Sequence, residues 1–253
     1  MGRNSYSKRG FDFGDFEITK REILASISII AVMLLIGVLI SSKISESQTD
    51  KNEIYNKAVK LESTNLFQYG MDTNVGNAFI YGDLKAVDTV TYPEIGGEYM
   101  YIEKVKEEYT KHTRTVTYKD SNGEERKKKE TYWTWDKKGS EDKKCQEIKF
   151  CGIIFSSNKI NIPSTVYIDT IKESSHIRYK YYGTETNHKG TIFADLRNQT
   201  IPDNTKFYNN KNIEETIKML ESDDGVILFW IIWIILVGGC VFGFYYLDNE
   251  WLE

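Results

Sequence analysis

The sequence predicts an α+β membrane protein in which two transmembrane helices flank one β-rich extracytoplasmic domain. Three observations lead there. Residues 23–42 and 225–247 each run about twenty positions without a charge, enough at ~1.5 Å per residue to cross a ~30 Å hydrocarbon core. The segment between them, 43–224, is polar and aromatic-rich, and it is long enough to bury a core without metal or disulfide staples. Within that segment, short β-branched and aromatic runs recur between turn signals, the pattern of a sheet domain.

The chain opens on a segment, 1–22, expected on the cytoplasmic side. It carries Arg3, Lys8, Arg9, Lys20 and Arg21, and short basic flanks stay cytoplasmic. The first span follows. Twelve Ile, Leu and Val residues between Ile23 and Ile40 favour insertion by roughly 4–7 kcal/mol at ~0.3–0.6 kcal/mol each. A removed signal peptide is the rival reading. The apolar stretch is too long for that, and Ser41-Ser-Lys-Ile-Ser lacks an Ala-x-Ala cleavage site. Gly2 opens no myristoylation signal, because Tyr6 stands where Ser or Thr is required.

A helix is expected over 44–61, with Ile54, Ala58 and Leu61 on one face. Strands are expected at 78–84 and 98–105. The clearest hairpin joins Lys111-His-Thr-Arg-Thr-Val-Thr-Tyr to Glu130-Thr-Tyr-Trp-Thr-Trp through Asp120-Ser-Asn-Gly-Glu, with Asn122-Gly123 supplying positive φ. In it Thr113, Thr115 and Thr117 share a face either with Tyr132 and Thr134 or with Trp133 and Trp135. Further strands are expected at 152–155, 165–171, 176–182 and 190–196, then a short amphipathic helix over 213–220.

The second span, 225–247, carries Trp230 and Trp233 toward one end and Phe242, Phe244, Tyr245 and Tyr246 toward the other, with Trp251 just beyond it, which reads as two headgroup-level belts. Gly239 and Gly243 form a GxxxG step extended by Gly238, a surface for close helix packing against the first span or a second copy. The tail, 248–253, returns to the cytoplasmic side.

The net charge of −4 gives no case for nucleic acid. Arg126-Lys-Lys-Lys129 is closely flanked by Glu124, Glu125 and Glu130 and reads as a solvated strand end. Cys145 and Cys151 could close a small disulfide loop on an oxidising side, a question of geometry. His112, His176 and His188 are scattered, so neither a metal nor a cofactor is expected. No nucleophile elbow, phosphate loop or HExxH occurs. Asp83 and Asp195 are candidate general bases only in the sense that any carboxylate at a strand end is. Asn198-Gln-Thr200 fits a glycosylation acceptor, relevant in a eukaryotic lumen.

Asn77-Ala-Phe-Ile-Tyr-Gly-Asp-Leu84, Gly96-Gly-Glu-Tyr-Met-Tyr-Ile-Glu-Lys-Val-Lys-Glu-Glu-Tyr109, Lys128-Lys-Glu-Thr-Tyr-Trp-Thr-Trp135 and Ile213-Glu-Glu-Thr-Ile resemble segments of the LUMA family of transmembrane proteins. More distantly they are similar to the "beside a membrane" domain of the mitochondrial membrane-anchored RING ligase. That family ends in several spans where this chain has one, and no RING follows the second span, so ubiquitin transfer is not expected. The resemblance implies a scaffolding role through the non-cytosolic domain and brings no catalytic residues.

The expectation is therefore a non-enzymatic scaffold or sensor whose domain binds membrane lipid, an unknown protein partner or a copy of itself. Tyr99, Tyr101, Trp133 and Trp135 are its candidate surface. The alternative is an oligomeric pore or membrane-permeability effector packed through Gly239 and Gly243. Against it, the spans carry no charge and no polar stripe beyond Ser26, Ser28 and Cys240.

Overall fold

The computed structural model describes residues 11–12, 17–18, 20–222 and 224–250. Arg3, Lys8 and Arg9 of the basic flank, Tyr6, and Trp251 of the expected belt lie outside them. The fold is α+β and divides into a helical unit, the residues up to Asn56 with those from Lys218 onward, and a β-rich unit, Lys57–Ile217.

In the helical unit a two-residue ladder, β1 (Phe11–Asp12) with β2 (Glu17–Ile18), precedes α1 (Lys20–Lys57). Helix α1 and the last helix, α4 (Asp224–Glu250), are each long and apolar enough to cross a bilayer. Leu35, Leu39, Ile235 and Phe242 are each about 70 % exposed, so the apolar faces of these helices are not buried within this chain. They run antiparallel and meet at successive levels. The Ser26 and Tyr245 hydroxyls lie 3.0 Å apart, the Trp233 indole N–H donates to the Met33 carbonyl at 3.0 Å, and Ile44 packs at Gly225. Beyond the apolar stretch, Gln48 donates to the Leu220 carbonyl and Asn56 to the Glu221 carboxylate, both at 2.8 Å. Gln48, Asn52 and Asn56 are spaced four apart, so they form one polar stripe on α1.

Helix α1 does not stop at the end of its apolar run. Nothing between Lys43 and Lys57 is Gly or Pro, and the Lys43 ion pair with Glu46 (2.5 Å) and the Gln48 hydrogen bond to Asn52 (2.9 Å) support the added turns. The expected helix over 44–61 is thus the continuation of α1, ending at Lys57. Residues β3 (Val59–Leu61) form a strand instead, because they pair in parallel with Ala78, Phe79 and Ile80 and bury Leu61 in the core.

The β-rich unit has two sheets. The larger is built on β4 (Gly76–Ala86), which pairs along one edge with β11 (Asn187–Leu196). Its other edge is shared end to end by β3 and β7 (Glu147–Phe150); β8 (Ile153–Ser156) and β12 (Phe207–Asn209) complete it. Helix α2 (Thr64–Asp72) covers one face. Ser63 caps its N-terminus, its Oγ accepting from Leu66 N at 3.4 Å, and Phe67, Gly70 and Met71 turn inward. They meet Ala78, Ile80, Leu84, Ile148, Phe150, Phe155 and Ile192 in the main core. Helix α3 (Ile213–Glu221) begins with a reciprocal cap: Glu215 N donates to Asn212 Oδ1 at 2.8 Å, and Asn212 N to Glu215 Oε2 at 2.9 Å.

The smaller sheet has the order β6 (Glu125–Lys144), β5 (Tyr101–Lys119), β10 (Ile177–Thr184), β9 (Val166–Lys172). Residues 88–99 fold over one face and bury Tyr92, Ile102 and Tyr181. Glu94 of this segment accepts from Lys104 Nζ (2.6 Å) and from the Tyr181 hydroxyl (2.8 Å). The Lys104 hydrogen bond, aided by the backbone of Glu94 and by Tyr181, holds the Glu94 carboxyl at about 2. Its stabilising contribution is complete above the ordinary carboxylate range and disappears as pH falls from about 4.5 toward 2. Because Glu94 is a third exposed, that contribution is about 1 kcal/mol after solvent screening. Acid titration followed by urea unfolding is expected to show this loss in the native chain and not in Glu94→Gln.

Candidate functional site

Strand β10 pairs with β5 only as far as Glu108, and the last contact is Tyr109 N donating to the His176 carbonyl at 2.9 Å. Beyond that point β5 and β6 continue alone to Lys119 and Glu125. At ~3.4 Å per residue this two-stranded arm projects roughly 30 Å past the sheet. Its turn is a type I turn closed by Gly123 N donating to the Asp120 carbonyl (3.0 Å), with Gly123 at φ 82°. Only Gly123 takes positive φ, not Asn122. The Asp120 carboxylate instead accepts from Asn122 N (2.9 Å) and Glu124 N (3.1 Å) and fixes the bend.

Strand alternation gives the arm two unlike faces. On the first, Tyr109 stands opposite Trp135 and Lys111 opposite Trp133. The Tyr109 and Trp133 rings stack at 5.4 Å and 21°, Trp135 tilts against Tyr109 at 5.2 Å, and the Arg178 guanidinium lies over Trp135 at 4.1 Å. Toward the tip the same face continues with Thr113 opposite Thr131, Thr115 opposite Lys129 and Thr117 opposite Lys127. The three threonines therefore share the tryptophan face, farther out along the ribbon. At its base Glu107 is held between Arg178 (2.6 Å) and Lys180 (3.1 Å).

The second face is polar and paired. Asp136 accepts from the Thr110 hydroxyl and contacts His112 Nε2 at 2.6 Å; these two groups hold its carboxyl below the usual range. Both contacts converge on one carboxylate oxygen, so this is not a relay in which an acid orients a base toward a hydroxyl. His112 stacks on Tyr132, Arg114 pairs with Glu130 at 3.2 Å, and Arg126 pairs with Asp120 at 2.7 Å.

The four expected surface residues do not form one patch. Trp133, 48 % exposed, and Trp135, half-buried, share the arm face. Tyr101 lies at the far end of β5, where burial and the Asp142 and Glu103 carboxylates push its phenol above the usual value. Tyr99 packs in the small core, bridged to Val90. Nothing in the sequence distinguishes Tyr109, Lys111 and Arg178; only the cross-strand register brings them to Trp133 and Trp135.

Cys145 and Cys151 are free, buried thiols rather than a closed loop. Strand β7 runs between them, and each packs into the main core. Burial pushes Cys145 up to about 11 and raises Cys151, so both stay protonated at neutral pH. Asp195 is paired with Arg197 at 3.0 Å. Asp83 lies within β4 opposite Lys189 and lines a cleft of about 560 Å³ with Lys85, Asn187 and His188, whose Nε2 lies 3.0 Å from the Glu185 carbonyl. Asn198 is exposed on a turn at φ 54°.

In the helical unit, the contact between α1 and α4 uses Gly37, where a Cβ would lie 2.5 Å from Trp233 Nε1. Trp233 is thus a helix-packing residue whose N–H is satisfied by the Met33 carbonyl. A methyl group added at Gly238, Gly239 or Gly243 would meet no atom within 4 Å among the described residues, so that step faces away from α1. No family model, curated protein or solved structure matches this chain.

Proposed function

We propose that this is a two-pass integral membrane protein, non-enzymatic, that holds its β-rich unit beside a bilayer and presents the arm as a docking element. Both termini are cytoplasmic in this reading and the β-rich unit extracytoplasmic, as the five basic residues ahead of the first span favour. The observation that carries it is the antiparallel pairing of α1 with α4, two apolar helices with outward-facing leucine, isoleucine and phenylalanine that bracket the sheets in sequence. The resemblance to the LUMA family points the same way. The arm supplies the docking element because it contributes nothing to either hydrophobic cluster, yet it is built with an ordered aromatic face. Self-association through the open side of Gly239 and Gly243 is compatible with it.

Alkaline carbonate is expected to leave the chain in the membrane pellet, and protease outside sealed cells to cut within 57–217. Trp133→Ala with Trp135→Ala is expected to abolish crosslinks from the arm to a partner, to lipid or to a second copy. Removal of the ring pairs costs the arm about 1 kcal/mol each, so the cores and the far-UV spectrum stay unchanged. Crosslinking that survives the double substitution rejects the arm as the docking element.

A further inference from the structure

We propose that the tryptophan face of the arm docks on the headgroups of anionic phospholipid at a bilayer surface. The inference rests on the membrane-anchored reading above and adds the partner's chemistry. Along the chain, Arg126-Lys-Lys-Lys129 is masked by neighbouring acids, but the pairing register sorts those charges by face. Glu130 goes to Arg114, while Asp120 and Glu124 go to Arg126, all away from the tryptophans; Glu125 stays on the tryptophan face at the tip, opposite Lys119. Lys127 and Lys129 stay on the tryptophan face with Lys111, all three exposed and without an ion pair among the described residues. Glu107, the acid nearest the aromatics on that face, is taken by Arg178 and Lys180. One side of a thin ribbon is thus aromatic and net cationic, with Lys111, Lys119, Lys127 and Lys129 against Glu125, and the other is largely neutralised.

The ring geometry selects among anionic partners. A base or a sugar needs an uncovered ring to stack on. Here Tyr109 and Trp133 stack on each other and Arg178 covers Trp135, so little ring face is free. Trp133 nevertheless stays about half exposed, an amphipathic ring flanked by flexible lysines, which suits the headgroup layer. Tethering at both ends of the β-rich unit also keeps a bilayer at high effective concentration. At ~1 kcal/mol per lysine near an anionic surface, each of the three contributes roughly five-fold in partitioning and together about 100-fold.

The test uses the full chain in phosphatidylcholine nanodiscs, floated with vesicles of phosphatidylcholine alone or phosphatidylcholine with phosphatidylglycerol. Flotation is expected only with the anionic vesicles and is lost at ~1 M salt, where the Debye length falls to ~3 Å. Lys111→Gln with Lys127→Gln and Lys129→Gln weakens it about 100-fold, and Trp133→Ala weakens it further. The adjacent pair gives the sharpest contrast: Lys129→Gln costs about five-fold, whereas Lys128→Gln, on the opposite face, costs less than about two-fold. Equal effects at 128 and 129, binding to neutral vesicles, or retention by nucleic acid or an acidic polysaccharide without vesicle binding would each overturn the proposal. Carbonate extraction separates the two readings. A chain that stays embedded but floats no anionic vesicles refutes the headgroup assignment alone, and a chain that washes off refutes the anchorage beneath it.

Discussion

Replacing Phe67 with alanine lowers the unfolding free energy of the β-rich unit by about 3–5 kcal/mol, the usual cost of an aromatic-to-alanine cavity in a packed core. Phe67 is fully buried and is the residue through which α2 engages the larger sheet. Its ring meets Phe150 edge-on and Phe155 at a tilt, each at 6.0 Å, and Phe150 continues the chain of contacts to Phe207. The cavity cannot collapse easily, because Gly70 one turn on already sits so close that a Cβ there would be 3.0 Å from Leu196. Domains of this size are stable by about 5–15 kcal/mol, so the substitution removes a large share of the total. Thermal unfolding of the full chain in detergent is expected to shift down by about 10 °C. A shift below about 2 °C would mean that α2 is not a structural layer of the sheet.

Gly37→Leu is expected to separate α1 from α4. The added side chain would begin 2.5 Å from Trp233 Nε1 and 2.9 Å from its Cδ1. The indole must therefore move, and it loses the Met33 carbonyl it now reaches at 3.0 Å. Overpacking costs about 1–3 kcal/mol, and an interhelical hydrogen bond lost in an apolar medium adds about 1 kcal/mol. Cysteines placed at Ser26 and Tyr245, whose hydroxyls are 3.0 Å apart, report the separation. Their oxidative crosslinking is expected to fall several-fold in the Gly37→Leu background and to be retained with Gly239→Leu. Equal yields in both backgrounds would place the helix contact elsewhere.

The two apolar helices and most strands are legible in the sequence, because a long uncharged run and a β-branched alternation each impose one periodicity on the chain. Strand β10, expected over 176–182 and found at Ile177–Thr184, is typical. Helix α2 leaves little trace, since its buried face is only Phe67, Gly70 and Met71 and a glycine weakens the signal. The last turn of the helix expected over 44–61 goes to the sheet because Leu61 gains more from the core than from helix propensity. The full length of the hairpin is hidden by lysines and glutamates that read as loop, although cross-strand ion pairs such as Lys137 with Glu103 hold it together. The candidate site is half legible. Composition points to Trp133 and Trp135, but Tyr109, Arg178 and the sorting of lysines from acids depend on register, which is a property of two strands and cannot be read from one.

The arm has a consequence for how this protein can vary. Its strands beyond Tyr109 and Trp135 touch neither hydrophobic cluster, so pairs of residues can be added or removed there at little cost to the folded body. Because side chains alternate with period two, an insertion of two residues per strand lengthens the ribbon by ~7 Å and keeps everything beyond it in phase. An insertion of one turns the distal lysines to the opposite side. The hairpin therefore behaves as a molecular ruler graduated in even steps, whose reach can drift among related chains while its orientation is kept by parity alone.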